Sequence, residues 1–288
     1  MWNDVEEYRE PYDMINNEIR KWSELSVNQS AFLCGLLKSE KPHSILEIGT
    51  SAGGTTSIMM KCLSILGIES TCINTVDISK TWYRDKSKSS GWVAQKYRQE
   101  DDNNITLKVY SGDVSAYYLP LMKKKFDFVL LDAAHSMPCE ILDFICVYPF
   151  LSRGAVVVVH DISLMHKHKS RSGASTANCI LFSSVVGDKF INSDSDGYTG
   201  KYPNIGAFRV NDDTQKYILN VFLALIAKWT YIPDDNQLDK VRQIVEQYYS
   251  KECLDIYDEA VKLNKNSYEN KVSIKRKIYN YLSTFFKK

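Results

Sequence analysis

Residues 45–57 read ILEIGTSAGGTTS, an apolar run that includes one acid and continues into a glycine-rich turn. The apolar part is typical of a buried parallel strand, and glycines permit positive φ angles and close approach of the backbone. In an open parallel sheet, ligands bind beyond the carboxyl ends of the strands, over the first such turn. The stretch therefore predicts a cofactor site that includes Gly49, Thr50, Ser51 and Gly53.

Further short apolar runs follow at 72–77, 105–110, 126–132 and 154–161, and helical patterns separate them. Continuous apolar content, as in Val156–Val159, is typical of parallel strands buried on both faces. Two last runs, 188–192 and 205–210, predict an antiparallel hairpin at the sheet edge. We therefore expect an α/β fold, a Rossmann-like, doubly wound, mostly parallel seven-stranded sheet with an antiparallel edge hairpin plus a helical C-terminal extension.

The same patterns divide the 288 residues into three segments. Residues 1–40 predict an N-terminal helical segment, and residues 41–212 predict the cofactor-binding domain. Residues 213–288 predict the helical extension, with breaks at YIPDDN (231–236) and near KNSYEN (265–270). This length suits one large α/β domain with an appendage.

Composition limits the partners and the compartment. The formal net charge is +1, so we expect no nucleic-acid partner. The seven cysteines are scattered and form no C-x-x-C pair, which predicts buried thiols in a reducing compartment. The acidic N-terminus lacks an apolar core, and the longest apolar stretch, YILNVFLALIA from Tyr217, is too short to span a bilayer. We expect a cytoplasmic protein.

Two residues of the opening stretch bear on the identity of the cofactor. The dinucleotide fingerprint needs a glycine where Ser51 stands, because the backbone there must approach a pyrophosphate. Glu47, at the mouth of the loop, would also repel a diphosphate. A carboxylate there suits a cationic ligand, and S-adenosylmethionine carries both a sulfonium and an ammonium group. The stretch thus favours S-adenosylmethionine over NAD.

LEIGTSAGGTTS resembles the first motif of the class I S-adenosylmethionine-dependent methyltransferases, in which an acid precedes Gly-x-x-x-Gly. The resemblance covers roughly residues 27–210. In that family an acid ends the second strand, as Asp77 does in TVDIS, and another follows the third strand, as Asp113 does in YSGDVS. The resemblance implies that Glu47, Asp77 and Asp113 contact the cofactor, Asp77 at the ribose hydroxyls and Asp113 at the adenine edge.

The segments FDFVLLDAAH (126–135) and GAVVVVHD (154–161) resemble those of the catechol-type, metal-dependent O-methyltransferases and their relatives that act on sugars and natural products. In that group the fourth strand ends in a metal-binding Asp, a basic residue three positions later is the general base, and an Asp-Asn pair ends the fifth strand. The resemblance implies Asp132 and His135 as catalytic residues. It implies Asp132, His160 and Asp161 as ligands of Mg²⁺ or another divalent cation.

The chemistry is consistent with these assignments. Methyl transfer is an in-line displacement at the sulfonium carbon, so the enzyme mainly aligns acceptor and donor. A hydroxyl acceptor must lose its proton, and a histidine such as His135 titrates near neutrality and can accept it. A divalent cation held by Asp132 and Asp161 would lower the pKa of that hydroxyl. His160 either completes the ligand set or orients it.

We therefore expect an enzyme that methylates a hydroxyl of a small molecule, a sugar or a glycan. Two alternatives are a nucleotide-dependent oxidoreductase or hydroxylase-like enzyme on the same sheet, and a non-catalytic, membrane-associated adaptor. The C-terminal stretch SIKRKIYNYLSTFFKK (273–288) has the pattern of a basic amphipathic helix. Its packing on the protein or on a second subunit, in a homodimer, is favoured over peripheral contact with an anionic membrane.

Overall fold

A computed structural model of the protein describes residues 2–4, 8–68, 70–100, 105–167, 175–192 and 202–285. The strands in these ranges are β1 (Trp2–Asp4), β2 (Ser44–Ile48), β3 (Cys72–Asp77), β4 (Thr81–Trp82), β5 (Asp85–Ser89), β6 (Thr106–Ser111), β7 (Phe126–Leu131), β8 (Leu151–His160), β9 (Asp188–Ile191) and β10 (Ile205–Arg209). Strands β4 and β5 form a separate two-stranded ribbon, and the other eight form one sheet.

The order of the main sheet is β1-β9-β10-β8-β7-β2-β3-β6. Strands β8, β7, β2, β3 and β6 run parallel, and β10 is antiparallel to both β8 and β9. The predicted Rossmann-like sheet with an antiparallel edge hairpin is thus confirmed. An eighth strand, β1, was not predicted because WND has no apolar alternation, and it pairs in parallel with the otherwise open edge of β9.

The helices flank the sheet and form the C-terminal extension: α1 (Glu10–Met14), α2 (Asn17–Arg20), α3 (Val27–Glu40), α4 (Gly54–Ile65), α5 (Trp92–Glu100), α6 (Ser115–Met122), α7 (Cys139–Val147), α8 (Leu164–Lys167), α9 (Ala177–Ser184), α10 (Asp212–Lys216), α11 (Leu219–Ala224), α12 (Asp235–Tyr248) and α13 (Lys251–Phe285). Among the described residues, none of these helices has the length and apolar character needed to cross a bilayer.

The extension bears out one predicted break and corrects the other. Asp234 caps α12 by accepting a hydrogen bond from the backbone of Gln237, so the chain does break at YIPDDN. The break near KNSYEN is wrong, because α13 runs without interruption through it. Asn and Ser cost only a fraction of a kcal/mol each inside a helix, about 0.5 kcal/mol. The side chains of the basic tail, from residue 269 onward, lie outside the described part.

Apolar side chains pack on both faces of the sheet. Val157 and Val159 of β8 point into the cluster under α7, α9 and the extension, while Val156 and Val158 point into the cluster under α1, α3 and α4. All four are fully buried, as expected for a central parallel strand. Helices α11, α12 and α13 pack on the same cluster as α7, so the extension shares the core of the sheet.

Candidate active site

The loop between β2 and α4 lies against the carboxyl ends of the neighbouring strands. Gly49 has a φ of 100°, and a Cβ atom there would lie 1.8 Å from the backbone oxygen of Asp132. The loop continues to Ser51, whose backbone N–H donates to Oδ2 of Asp77 at 2.8 Å, and Ser79 N–H donates to Oδ1 of the same carboxylate at 2.8 Å. Glycine at 49 therefore allows the loop to lie between the ends of β7 and β3.

Glu47 lies beneath this loop. Its Oε2 atom accepts hydrogen bonds from the hydroxyls of Thr56 at 2.5 Å and Thr75 at 2.6 Å, and Thr75 also contacts the hydroxyl of Thr50 at 2.6 Å. Burial raises the pKa of Glu47 to about 7. From the sequence we expect this carboxylate at the mouth of the loop. The structure instead places it at the base, where threonine hydroxyls compensate its burial and where it lines neither of the cavities described next.

A cavity of about 380 Å³ opens beyond the ends of β2, β3 and β7. Its wall is mostly apolar and includes residues of the loop, of α7 and of the extension, among them Gly49, Ser51, Asp77, Ile78, Val114, Ser115, Leu142, Asp143, Tyr231, Gln237 and Val241. A mostly apolar, concave wall with a few polar groups is typical of a cofactor pocket. Three of the predicted cofactor contacts, Gly49, Ser51 and Asp77, lie in this wall. A fourth, Thr50, lies in the wall of a second cavity described below.

Asp113 lies outside that wall. Its Oδ2 atom is 2.5 Å from Nζ of Lys240 in α12, and its Oδ1 atom accepts the backbone N–H of Val114 at 2.8 Å. The contact of Asp113 with the adenine edge stays a prediction, and in this structure its carboxylate forms an ion pair with Lys240. That pair joins the end of β6 to the C-terminal extension.

A second, more polar cavity of about 280 Å³ adjoins the first. The two share Gly49, Ser51, Tyr83, Asp132 and Ala133. The rest of the second wall comes from the segment before α3, from the start of α4 and from the ends of β7 and β8: Trp22, Glu24, Thr50, Gly54, Thr55, His135, His160 and Asp161. The two cavities therefore meet at the contact between Gly49 and Asp132.

His160, the last residue of β8, is held at both ring nitrogens. Its Nδ1 atom lies 2.9 Å from Oδ1 of Asp132, and its Nε2 atom lies 3.2 Å from Oε1 of Gln29. Burial alone would lower the pKa of His160, but Asp132 and Asp161 raise it above the usual value. Burial likewise tends to raise the pKa of Asp132, and His160 with His135 brings it below the usual value.

His135 stands among three carboxylates. Its Nε2 atom is 3.2 Å from Oδ2 of Asp161 and 3.9 Å from Oδ1 of Asp132, and its Nδ1 atom is 3.3 Å from Oε1 of Glu140. The backbone N–H of His135 also donates to Glu140, at 2.5 Å. Burial lowers the pKa of His135, but Glu140, Asp132 and Asp161 outweigh it and raise the pKa to about 9.

The donor atoms of Asp132, His135 and Asp161 lie within 4.8 Å of one another. Two carboxylates and an imidazole are ligand types that suit a divalent cation such as Mg²⁺, Mn²⁺ or Zn²⁺. The donor set therefore fits a metal ion. His160 lies beside this set and not in it, because Asp132 and Gln29 occupy its ring nitrogens.

Four supporting residues were not foreseen from the sequence. Gln29 and Glu140 hold His160 and His135, as described above. Asn204 donates to Oδ1 of Asp161 at 2.6 Å, and Asn178 donates to the backbone oxygen of His160 at 2.6 Å. One signal was available for Glu140, which stands beside Ile141 and Leu142 near the start of an apolar helix, where a charged residue needs a partner.

Residues 46–162 match a family model described as a methyltransferase domain. No curated protein sequence matches the chain.

Three solved structures illustrate what the chain resembles. The O-methyltransferase of tomaymycin synthesis from Streptomyces achromogenes, in complex with S-adenosylmethionine, is 18% identical with a TM-score of 0.49 and covers 68% of this chain and 91% of its own. An O-methyltransferase from Bacillus cereus, in complex with S-adenosylhomocysteine, is 16% identical with a TM-score of 0.47, covering 70% and 89%. A methyltransferase of Podospora anserina bound to S-adenosylhomocysteine is 14% identical with a TM-score of 0.47, covering 70% and 85%.

Proposed function

We propose that this chain, whose residues 46–162 match a methyltransferase domain, uses S-adenosylmethionine and transfers its methyl group to a hydroxyl oxygen of a small molecule or a sugar. One observation carries the proposal. A mostly apolar cavity and a polar cavity with imidazole and carboxylate groups share a wall at Gly49 and Asp132. The first suits the cofactor and the second suits a hydroxylated acceptor, so their reacting atoms would meet at the shared wall.

In this reaction the acceptor oxygen attacks the methyl carbon in line with the sulfur. The O–CH₃ bond forms, the S–CH₃ bond breaks, and S-adenosylhomocysteine leaves. The acceptor hydroxyl gives its proton to Nε2 of His135, which lies 3.2 Å from Oδ2 of Asp161, and both residues line the second cavity. Asp77, already fixed by two backbone N–H groups, retains lone pairs for the ribose hydroxyls.

The carboxylates around His135 make its role as a base depend on a metal ion. A pKa of about 9 means that the imidazole is protonated at neutral pH and cannot accept a proton. A divalent cation at Asp132 and Asp161 would supply the positive charge that lowers the pKa values of His135 and of the acceptor hydroxyl. We therefore propose that His135 acts as the base only when the cation is bound.

One comparison separates the base role of His135 from the role of a third ligand. In the variant His135→Ala, a base role predicts that turnover falls by about 10²–10⁴-fold while affinity for Mn²⁺ stays within about threefold. A ligand role predicts a loss of Mn²⁺ affinity of at least about tenfold. The paramagnetic signal of Mn²⁺ gives the affinity directly, whether or not the acceptor is known.

The cofactor assignment is tested by calorimetric titration with S-adenosylhomocysteine. We expect saturable binding at one site per chain, and absence of binding would refute the proposal. Turnover is tested with radiolabelled methyl donor and a panel of phenols, sugars and glycans, before and after exhaustive chelation. Activity that survives chelation would remove the metal from the mechanism and leave methyl transfer itself in place.

Finer features of the protein remain part of the proposal. Trp22 and Tyr83 in the second wall give an acceptor two aromatic faces, which suit a sugar or an aromatic natural product. A cytoplasmic location, a homodimer and the membrane contact of the basic tail stay predictions, as do the three segment boundaries. The matched domain favours neither an oxidoreductase nor a non-catalytic adaptor.

A further inference from the structure

One face of α7 forms part of the cofactor cavity. Cys139, Leu142, Asp143 and Cys146 recur at the spacing i, i+3, i+4 and i+7, and all four line the cavity. Three of these side chains are apolar or weakly polar. Asp143 is the only acid of the four.

The carboxylate of Asp143 is only half satisfied by the protein. Its Oδ1 atom accepts the hydroxyl of Ser115, from α6, at 2.7 Å. Within the ranges that the structure describes, no donor reaches Oδ2. Burial raises the pKa of Asp143 to about 7. A carboxyl group in an apolar wall costs free energy unless a donor compensates it, and here one oxygen is left for a ligand.

The acid that the sequence assigns to the adenine edge is already engaged. Asp113 follows β6, as the sequence led us to expect for a cofactor contact, but Lys240 neutralises it and it lies outside the cavity wall. Asp143 and Ser115 instead lie in the wall, beside Val114 and Leu142. This part of the cavity thus offers apolar surface next to one free carboxylate oxygen, which is the complement of a flat apolar ring that carries an amino group.

We propose that Asp143, held by Ser115, recognises the exocyclic amino group of the cofactor's adenine ring. The Oδ2 atom accepts an N–H of that amino group, while Val114 and Leu142 contact the ring. This assignment rests on the proposed function, because it requires an adenosine-containing cofactor in the cavity. It makes Asp143 a residue that selects adenine over purines without a 6-amino group.

The test compares S-adenosylhomocysteine with its analogue in which unsubstituted purine replaces adenine. Both are titrated into the full-length protein by calorimetry. The wild-type protein is expected to prefer S-adenosylhomocysteine by about tenfold or more, since a hydrogen bond to a charged group contributes about that much. In Asp143→Ala the preference should fall below about threefold. A variant that keeps the wild-type preference overturns the assignment.

Two further variants keep the result interpretable. Asp143→Leu, whose side chain is similar in size and apolar like its neighbours, replaces the alanine variant if that one does not fold. Asp258→Ala removes a carboxylate that pairs with Arg242 away from the cavity, and it should keep the full preference. Wild-type protein that binds neither compound refutes the proposed function. Wild-type protein that binds both equally well refutes only the role of Asp143.

Discussion

His160 Nδ1 lies 2.9 Å from Asp132 Oδ1, and this contact joins the ends of the neighbouring strands β8 and β7. The opposite ring nitrogen faces Gln29 of α3 at 3.2 Å. An imidazole held at both nitrogens also holds the carboxylate that it contacts, so the Asp132 side chain keeps one orientation. His160 is therefore a positioning residue for Asp132.

Replacement of His160 should act through Asp132. In His160→Asn we expect a loss of Mn²⁺ affinity of about 10–100-fold, the usual effect of removing a group that orients a ligand. Affinity for S-adenosylhomocysteine should stay within about threefold. His43→Asn, which changes an exposed histidine at the opposite end of the sheet, is the control. Equal Mn²⁺ affinity in the two variants would remove this role.

Gly49 is expected to be intolerant of any side chain. In Gly49→Ala the new Cβ would meet the backbone of Asp132, so we expect a loss of about 3 kcal/mol or more in unfolding free energy and loss of S-adenosylhomocysteine binding. Gly67 also has a positive φ, of 63°, but a Cβ there meets nothing within 4 Å. Gly67→Ala should therefore cost only about 1 kcal/mol. Urea denaturation of both variants separates crowding from backbone strain.

Glu47 should make stability depend on pH. Its pKa is about 7 in the folded protein against a usual value of 4.5. The contribution of Glu47 to the free energy of unfolding is therefore complete below pH 4.5 and is lost as the pH rises through 7. Glu47→Gln removes this loss. We expect the variant to match the wild-type protein near pH 5 and to exceed it by roughly 2 kcal/mol at pH 8, measured by urea denaturation. A constant difference between the two proteins would contradict the assignment.

The ion pair between Lys240 and Asp113 should hold the extension to the domain. Both side chains are mostly buried, with 17% and 23% exposed, so Lys240→Met leaves a carboxylate with little solvent. We expect a loss of about 2 kcal/mol in unfolding free energy. The pair Arg153–Asp212 is 88% and 85% exposed, and Arg153→Met should cost less than about 0.5 kcal/mol. Similar losses would mean that the first pair contributes no more than a surface contact.

The sequence allowed the sheet and much of the site to be predicted, because both follow from local patterns. Apolar runs such as Val156–Val159 indicate buried parallel strands, and parallel strands bring the residues after their ends to one edge. Asp77, Asp132 and Asp161 therefore lie in the cavity walls, as expected. Residues 46–162 match a methyltransferase domain, in agreement with the family that the sequence predicts.

What the sequence did not predict depends on contacts between distant residues. Gln29 meets His160 across 131 positions, and Lys240 meets Asp113 across 127. Neither pair has a local pattern that singles it out. The buried position of the Glu47 side chain likewise depends on a distant residue, Thr75 of the next strand. The Thr75 hydroxyl donates a hydrogen bond to the Glu47 carboxylate and so compensates its burial.

Helix α7 carries both Glu140, which holds His135, and Asp143, which we assign to the cofactor. The two acids are three residues apart on a rigid element that packs against the sheet through Ile141, Phe144 and Ile145. In the proposed reaction, one turn of helix thus fixes the distance between the residue that holds the base and the residue that holds the adenine ring. Acceptor preference can then change through Trp22, which lines the second cavity but not the first, while the alignment of the reacting groups stays constant.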